Sequence, residues 1–262
     1  MNHEIYTGIT PRRRQYQYHQ DQPVAAERDY LKIIFYLNER GESASIARLV
    51  DWMHESAPRV TYILRRLERK GTIICTPAGE MVLTVSGQCL VQTIIRRQRL
   101  LECFLLNVLQ IPWYLTHREA IRLEPLISPV MEERVTCLVG DVQTCPYGNP
   151  IPGCHLTRRG TIQLHTVPPD THFVITHIDE EAQANVKLLR WFSTWGCMPQ
   201  VTLGVVEKRT THSIITRPNT HQTLVVPHQS AAFIWGDIVY QGETDDHCRQ
   251  SDFCGSRICR GI

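Results

Sequence analysis

The chain has 262 residues, of which 42% are hydrophobic, and a formal net charge of +2. Such a length predicts two domains of roughly 100–200 residues each. So small a net charge excludes a generally basic chain. Any affinity for nucleic acid must therefore come from basic residues gathered on one surface. Residues 1–22 contain no apolar run long enough for a signal peptide or a membrane helix, so we expect a cytoplasmic protein without a membrane partner.

The first 24 residues lack hydrophobic periodicity and contain the run Arg12–Arg14, a pattern typical of a flexible basic arm. Apolar residues then recur at helical spacing over residues 25–40, which predicts a first amphipathic helix. A second helix should follow closely, with Ser43 or Ser45 as its N-terminal cap.

A third helix is predicted within residues 55–71 by clear signals at both ends. Ser56 stands at the cap position and Pro58 suits the first helical turn. Gly71 favours termination at the other end.

Two short β-type runs, 72–76 and 81–84, follow the third helix. The residues between them include proline and glycine, which favour a turn, so the two runs should form a hairpin. Three helices followed by a hairpin predict a winged helix-turn-helix domain over residues 25–86.

Residues 87–153 are predicted to form a helical block. A long helix should end near Gln110, because a proline stands two residues further on. A shorter helix is expected over residues 116–124, and Pro125 should end or kink it, since proline cannot donate the backbone hydrogen bond of a helix.

A proline- and glycine-rich stretch at residues 145–153 predicts the boundary to a second domain. Beyond it, residues 160–242 contain one helical segment, 179–195, among short β-type runs, which indicates a small β-barrel. The predicted strands are 173–178, 201–207, 212–217, 223–226 and 233–238. The fold class is therefore a mainly α N-terminal half with a small β-barrel C-terminal domain, followed by a tail over residues 243–262.

The third helix carries five basic residues, from Arg59 to Lys70, against the single acid Glu68. A charged helix face is often no more than a solvated surface, but its combination with a helix-turn-helix and a hairpin favours double-stranded DNA as the partner. A helix fits the major groove, where its first turns reach base edges. The expected DNA-contacting residues are Ser56, Pro58, Arg59, Thr61, Tyr62, Arg65, Arg66 and Arg69.

Several local strings resemble the diphtheria toxin repressor (iron-dependent repressor) family. They are Asp29-Tyr30-Leu31, Ser56-Ala57-Pro58-Arg59-Val60-Thr61, Leu83-Thr84-Val85-Ser86-Gly87 and, most specifically, Pro146-Tyr147-Gly148-Asn149-Pro150-Ile151-Pro152-Gly153. The likeness covers residues 26–153, and residues 160–240 are more loosely similar to the family's SH3-like domain. It implies that residues 87–153 form a dimerisation and metal-site domain, and that a homodimer binds a palindromic operator. It also implies control by Fe²⁺ or Mn²⁺, which orders the first helix and sets the spacing of the two recognition helices.

The same resemblance places the family's primary metal site at Asp29, Ile121, Glu124 and Pro125. Asp29 and Glu124 are carboxylates suited to Fe²⁺ or Mn²⁺. Ile121 and Pro125 replace the other two ligands with side chains that have no donor atom, so the primary site is degenerate. Asp29 and Glu124 are either weak ligands or ordinary polar residues of a decayed site.

A second, ancillary metal site implied by the resemblance is better preserved. Glu102 and His117 match the family's glutamate and histidine, Gln98 stands where another histidine is usual, and Glu181 is the expected carboxylate from the SH3-like domain. One imidazole and two carboxylates form a plausible metal-binding set. His117 is equally compatible with a solvent-facing residue at the start of a helix.

The ten cysteines are predicted to be reduced thiols, because no export signal accompanies them. Cys248, Cys254 and Cys259 lie in the tail with His247, and such a cluster could hold Zn²⁺ or an iron–sulfur centre. Their spacing matches no standard zinc finger, and the alternative is a tail with free thiols.

No nucleophile elbow, phosphate-binding loop or metalloprotease motif occurs, so an enzyme is not predicted. Three hypotheses remain. The first is a metal-responsive (Fe²⁺ or Mn²⁺) repressor of metal homeostasis genes, and the second is a DNA-binding regulator that is independent of metal or responds to redox state through cysteine. The third is an adaptor whose winged helix binds protein.

Overall fold

A computed structural model describes residues 23–156, 161–217 and 222–239. The cysteine tail at 243–262 and all but the last two residues of the predicted basic arm lie outside these ranges. None of the helices in the described ranges is both long and apolar enough to cross a membrane.

The N-terminal domain has the order of elements that the sequence predicts. Helices α1 (Pro23–Glu39), α2 (Ile46–Met53) and α3 (Ala57–Arg69) precede an antiparallel hairpin of β1 (Ile73–Cys75) and β2 (Met81–Leu83). Their apolar faces form one core, in which Tyr30, Ile34, Leu37, Leu49, Ile63, Leu67 and Ile73 are fully buried. The hairpin is the wing of a winged helix-turn-helix.

Three further helices form the middle of the chain. The long α4 (Val85–Asn107) contacts both α5 (Trp113–Leu123) and α6 (Pro129–Val139). Pro125 lies in a 3-10 turn, Glu124–Leu126, and so ends α5 as predicted. Helix α5 begins three residues earlier than expected.

The C-terminal domain is built on one antiparallel sheet. Its strands are β3 (Ile162–Gln163), β4 (Thr171–Ile178), β5 (Thr202–Lys208), β6 (His212–Thr216), β7 (Thr223–Pro227) and β8 (Ile234–Val239), in the order β3-β8-β4-β5-β6-β7. Helices α7 (Glu180–Gln183), α8 (Val186–Trp195) and α9 (His228–Ala231) connect them. The predicted single helical segment 179–195 is divided because Asn185 caps α8 by accepting a hydrogen bond from the Leu188 amide.

The predicted closed barrel is not confirmed. Strand β3 has only two residues and pairs with β8, and β7 pairs with β6 and runs directly into α9. Within the described residues, therefore, β3 and β7 remain the two open edges of the sheet, and no ladder joins them.

The segment Pro146–Gly153 connects the helical block to the sheet. The Tyr147 hydroxyl is fully buried and accepts a hydrogen bond from the His117 amide at the start of α5. The side-chain amide of Asn149 donates to the Ile178 carbonyl at 3.0 Å. Between them Gly148 has φ +82°, and a Cβ there would lie 2.0 Å from the Thr176 carbonyl oxygen. Only glycine fits at position 148, which explains physically why a glycine follows Tyr147 in this string.

Candidate nucleic-acid interface and metal centre

Helix α3 has one buried and one exposed face. Val60, Ile63, Leu64 and Leu67 pack into the N-terminal core. The predicted DNA-contacting residues lie on the other side, where Ser56, Pro58, Tyr62, Arg65 and Arg69 are exposed and Arg59, Thr61 and Arg66 are partly buried. The helix therefore presents a cationic surface beside the wing, as a major-groove reader requires.

The start of α3 is fixed through contacts with α1. Glu55 accepts a hydrogen bond from the Tyr30 hydroxyl at 3.0 Å and pairs with Arg59 at 3.4 Å. Ser56 occupies the N-cap position, as the sequence predicts, but its side chain makes no capping hydrogen bond. The Thr61 hydroxyl donates to the Ala57 carbonyl of its own helix.

Arg65 and Arg66 have different surroundings although they are neighbours. The Arg66 side chain pairs at 2.9 Å with the buried carboxylate of Glu27 on α1, which also binds Lys70 at 2.5 Å. Arg65 is exposed and pairs with no acid in the described part of the chain. Arg66, one of the expected DNA-contacting residues, therefore holds α3 against α1.

The residues of the predicted primary metal site are already paired with cations of the chain. The Arg28 guanidinium donates to both carboxylate oxygens of Glu124. Asp29 pairs with Lys32 at 2.9 Å. Ile121 and Pro125 line the remaining space, a cavity of about 10 Å³. That volume is about the least that holds one water, so these residues do not fit a resident metal ion.

The predicted ancillary site is assembled only in part. His117 Nδ1 lies 2.8 Å from Glu102 Oε1, and both residues are buried. The side-chain amide of Gln98 donates to the same Glu102 oxygen at 3.2 Å, while its carbonyl oxygen accepts from Lys32 Nζ at 3.3 Å. Glu102 Oε2 is buried and has no hydrogen-bond partner among the described residues. One carboxylate and one imidazole are therefore available here.

The third expected ligand, Glu181, has a different contact. It binds Arg48 of α2 at 2.9 Å and lies in a run of three acids that begins at Asp179. Its neighbour Glu180 pairs instead with Arg99 at 3.1 Å and Arg40 at 2.7 Å. No group of three or more histidine, cysteine or acidic side chains in the described ranges is arranged to hold a metal.

The same acidic run joins two domains. Arg40 lies at the end of the N-terminal domain's first helix and also pairs with Asp179 at 2.9 Å. Burial raises the pKa of Asp179 to about 6, although the Arg40 charge acts in the opposite direction. Ion pairs therefore dock the winged helix onto the sheet domain.

Reasoning from sequence missed Arg28 and Lys32, which neutralise the two predicted ligands of the primary site. A signal was present, because Arg28 and Lys32 are four residues apart on α1 and Asp29 lies three residues before Lys32. Their partners Glu124 and Gln98 lie 96 and 66 residues away, and no spacing pattern indicates such distant pairs.

Among the described residues all seven cysteines are free thiols, in agreement with the predicted reduced state. Cys103 lies next to Glu102 but is buried, and burial raises its pKa to about 12. A thiol held protonated in this way is a core residue rather than a ligand or a redox sensor.

Comparison with known proteins agrees with this architecture. Residues 84–153 match the family model described as iron dependent repressor, metal binding and dimerisation domain. The iron-dependent repressor IdeR of Mycobacterium leprae is 27% identical over 213 residues, which cover 77% of this chain and 92% of that protein. The diphtheria toxin repressor of Corynebacterium diphtheriae is 32% identical over 124 residues, 47% of this chain and 55% of that protein.

A solved structure of a manganese-dependent transcriptional repressor in complex with manganese superposes with a TM-score of 0.72. It is 27% identical in sequence, and the match covers 81% of this chain and all of that one. In the order of winged helix, helical block and sheet domain, and in these matches, the chain is similar to iron- and manganese-dependent repressors of the diphtheria toxin repressor family.

Proposed function

We propose that the protein is a dimeric transcriptional regulator that binds double-stranded DNA through α3 and its wing. The observation that carries the proposal is the exposed cationic face of α3, on which Tyr62, Arg65 and Arg69 point away from a core that holds the helix in place. Its relatives are named as repressors and not as enzymes, so the chain is a regulator without catalytic activity.

Tyr62 and the first turn of α3 are the proposed readers of base edges. Tyr62 is exposed, and the Arg66 guanidinium lies over its ring at 5.8 Å. Arg59 is the one arginine in the first turn, and its contact with Glu55 sets its direction. Arginine binds guanine in the major groove through two hydrogen bonds, so Arg59 is the proposed base-reading residue, while Arg65 and Arg69 neutralise phosphates.

A second copy of the chain is the proposed partner of an exposed apolar surface on the helical block. Its members follow one another along the 3-10 turn and α6: they are Leu126, Val130, Met131 and Leu138. Apolar side chains grouped in this way are typical of an interface. The family model that covers these residues is described as a dimerisation domain, and a two-fold dimer would place two α3 helices on a palindromic operator.

DNA selection from a random duplex pool tests the proposed function. The wild-type chain should enrich a palindromic sequence, and its affinity should fall by roughly 10³-fold between about 50 and 200 mM salt, because phosphate binding releases counterions. Arg59→Ala should relax the selected sequence at one position in each half-site. Failure to enrich any duplex, or affinity that does not change with salt, would favour the protein-binding adaptor instead.

The proposed dimer is tested separately by Val130→Glu with Met131→Glu. Two buried charges in an apolar interface are strongly unfavourable, so this variant should have half the wild-type mass in light scattering. Val206→Glu, at an exposed valine of the sheet domain, is the matched control. Equal masses for all three proteins would contradict the proposed dimer surface.

Metal control through the ancillary pair is a second candidate function. The unpartnered Glu102 Oε2 next to His117 favours it, because a buried carboxylate oxygen without a partner is costly and a bound cation would satisfy it. Fe²⁺ or Mn²⁺ is the proposed ion. DNA affinity should then fall with chelator in the wild type and become chelator-insensitive in Glu102→Ala, His117→Ala.

A further inference from the structure

Two positive charges of the chain stand where the family resemblance places a metal ion. Asp29 and Glu124 together carry two negative charges, and Arg28 and Lys32 together carry two positive charges in direct contact with them. The four side chains are at most a quarter exposed. The local charge is therefore balanced without a divalent ion.

The cations also make the connection between helices that a bridging ion would make. Arg28 on α1 binds Glu124 in the turn after α5, with its guanidinium contacting both carboxylate oxygens. Lys32, one turn further along α1, donates to the Gln98 side chain on α4. Two helices of the central block are thus attached to α1 by side chains of the chain itself.

With Asp29 and Glu124 paired in this way, a metal ion has neither free ligands nor room here. Ile121 and Pro125 offer no donor atom, and the cavity of about 10 Å³ would hold little more than one water. An arginine cannot lose its proton in a protein, so an entering cation would face a fixed positive charge beside Glu124. Displacing Arg28 would leave that charge partly buried without a partner, which is unfavourable.

We propose that Arg28 and Lys32 take the place of a regulatory metal ion, so that α1 is held against the helical block permanently. The consequence extends to α3, because Glu27, the residue before Arg28, pairs with Arg66 and Lys70. The position of α3 relative to α1 then does not depend on an ion between Asp29 and Glu124. The regulatory meaning rests on the proposed function, but the attachment of α1 is tested without DNA.

Hydrogen exchange of the α1 amides, measured on the full chain with EDTA and with Mn²⁺, tests the inference. Wild-type protection should be the same in both. Arg28→Gln with Lys32→Gln should lower α1 protection at least tenfold in EDTA, because the links to Glu124 and Gln98 are lost. Mn²⁺ should restore part of it, since Asp29 and Glu124 are then free to bind a cation. Lys208→Gln with Arg209→Gln removes the same charge from the exposed surface of the sheet domain and should change nothing in α1.

Two results would overturn the inference. One is a rise in wild-type α1 protection on adding Mn²⁺ that disappears in Asp29→Asn, Glu124→Gln, since the ion and not the two cations would then complete the site. The other is unchanged α1 protection in Arg28→Gln, Lys32→Gln. Neither depends on whether the protein selects a DNA sequence, so failure here and failure of the proposed function are distinguishable.

Discussion

Arg40 Nη2 lies 2.7 Å from Glu180 Oε2, and this ion pair joins the end of α1 to the first turn of α7. The side chain of Arg40 is 10% exposed and that of Glu180 is 2% exposed. Such a pair is removed from water, and its members depend on each other because an isolated buried charge is costly. The contact between the winged-helix domain and the sheet domain is therefore ionic at its centre.

Arg40→Ala should lower the free energy of unfolding by about 3–5 kcal/mol, because Asp179 and Glu180 would lose a buried cationic partner. Arg209→Ala is the control, since Arg209 is 59% exposed and its pair with Glu207 is a surface one, worth at most about 1 kcal/mol. Urea unfolding followed by tryptophan fluorescence measures both. Losses within about 0.5 kcal/mol of each other would contradict a buried ionic contact.

Neighbouring arginines of α3 should separate DNA binding from stability. Arg65→Ala should weaken binding to a selected duplex and reduce the slope of log affinity against log salt by about 0.9, the value for one lost phosphate contact. Its unfolding free energy should stay within about 0.5 kcal/mol of wild type, because Arg65 is exposed and meets no acid in the described ranges.

Arg66→Ala should instead destabilise the fold by roughly 1–3 kcal/mol, since the buried Glu27 would keep only Lys70. Urea unfolding of both variants, beside salt titrations of DNA affinity, gives the comparison. If Arg65→Ala is the more destabilising of the two, the structural role assigned to Arg66 is wrong.

The winged helix-turn-helix was predictable because its signals are local. Capping position, proline in the first turn and a glycine stop define α3, and Pro125 ends α5 for a reason that is visible in the sequence. The apolar spacing also predicts which face of α3 is buried. Family likeness adds the helical block and the importance of the string from Pro146 to Gly153.

The details of the site were less predictable because they depend on distant partners. Glu181 was expected at the ancillary site, yet it binds Arg48, and its neighbour Glu180 is the residue that contacts Arg99. Adjacent residues at the start of α7 point in different directions. An error of one residue in matching this segment to the family therefore changes which side chain is expected at the ancillary site. Closure of the sheet likewise depends on edge pairing, which short β-type runs do not specify.

Gly148 should tolerate no side chain. A Cβ there would lie 2.0 Å from the Thr176 carbonyl oxygen, and φ is +82°. Gly148→Ala should therefore lower the free energy of unfolding by at least about 3 kcal/mol, as strain is added to a displaced backbone.

Gly153→Ala is its matched control in the same string. Gly153 has φ +87°, but the nearest atom to its Cβ position is a flexible Arg96 nitrogen at 3.6 Å. Only the conformational cost remains, about 1–2 kcal/mol. Thermal unfolding of the two variants compares them, and equal shifts would show that the close approach of Thr176 is unimportant.

The cysteines should differ sharply in reactivity. Burial raises the pKa of Cys197 to about 12, although the Arg217 charge acts against it. Since the thiolate is the nucleophile, Cys197 should stay unmodified by iodoacetamide from pH 7 to 9, whereas the exposed Cys75 in the wing, Cys89 and Cys137 react faster as pH rises. Peptide mass spectrometry after timed alkylation measures each site.

Unfolding in urea should make Cys197 as reactive as Cys75, and that sample is the control for intrinsic chemistry. The sign follows from the direction of the shift: a raised thiol pKa keeps the folded-state group neutral at pH 8, so protection persists until the fold opens. Rapid modification of Cys197 in the native protein at pH 8, at a rate near that of Cys75, would mean that the core of the sheet domain opens readily.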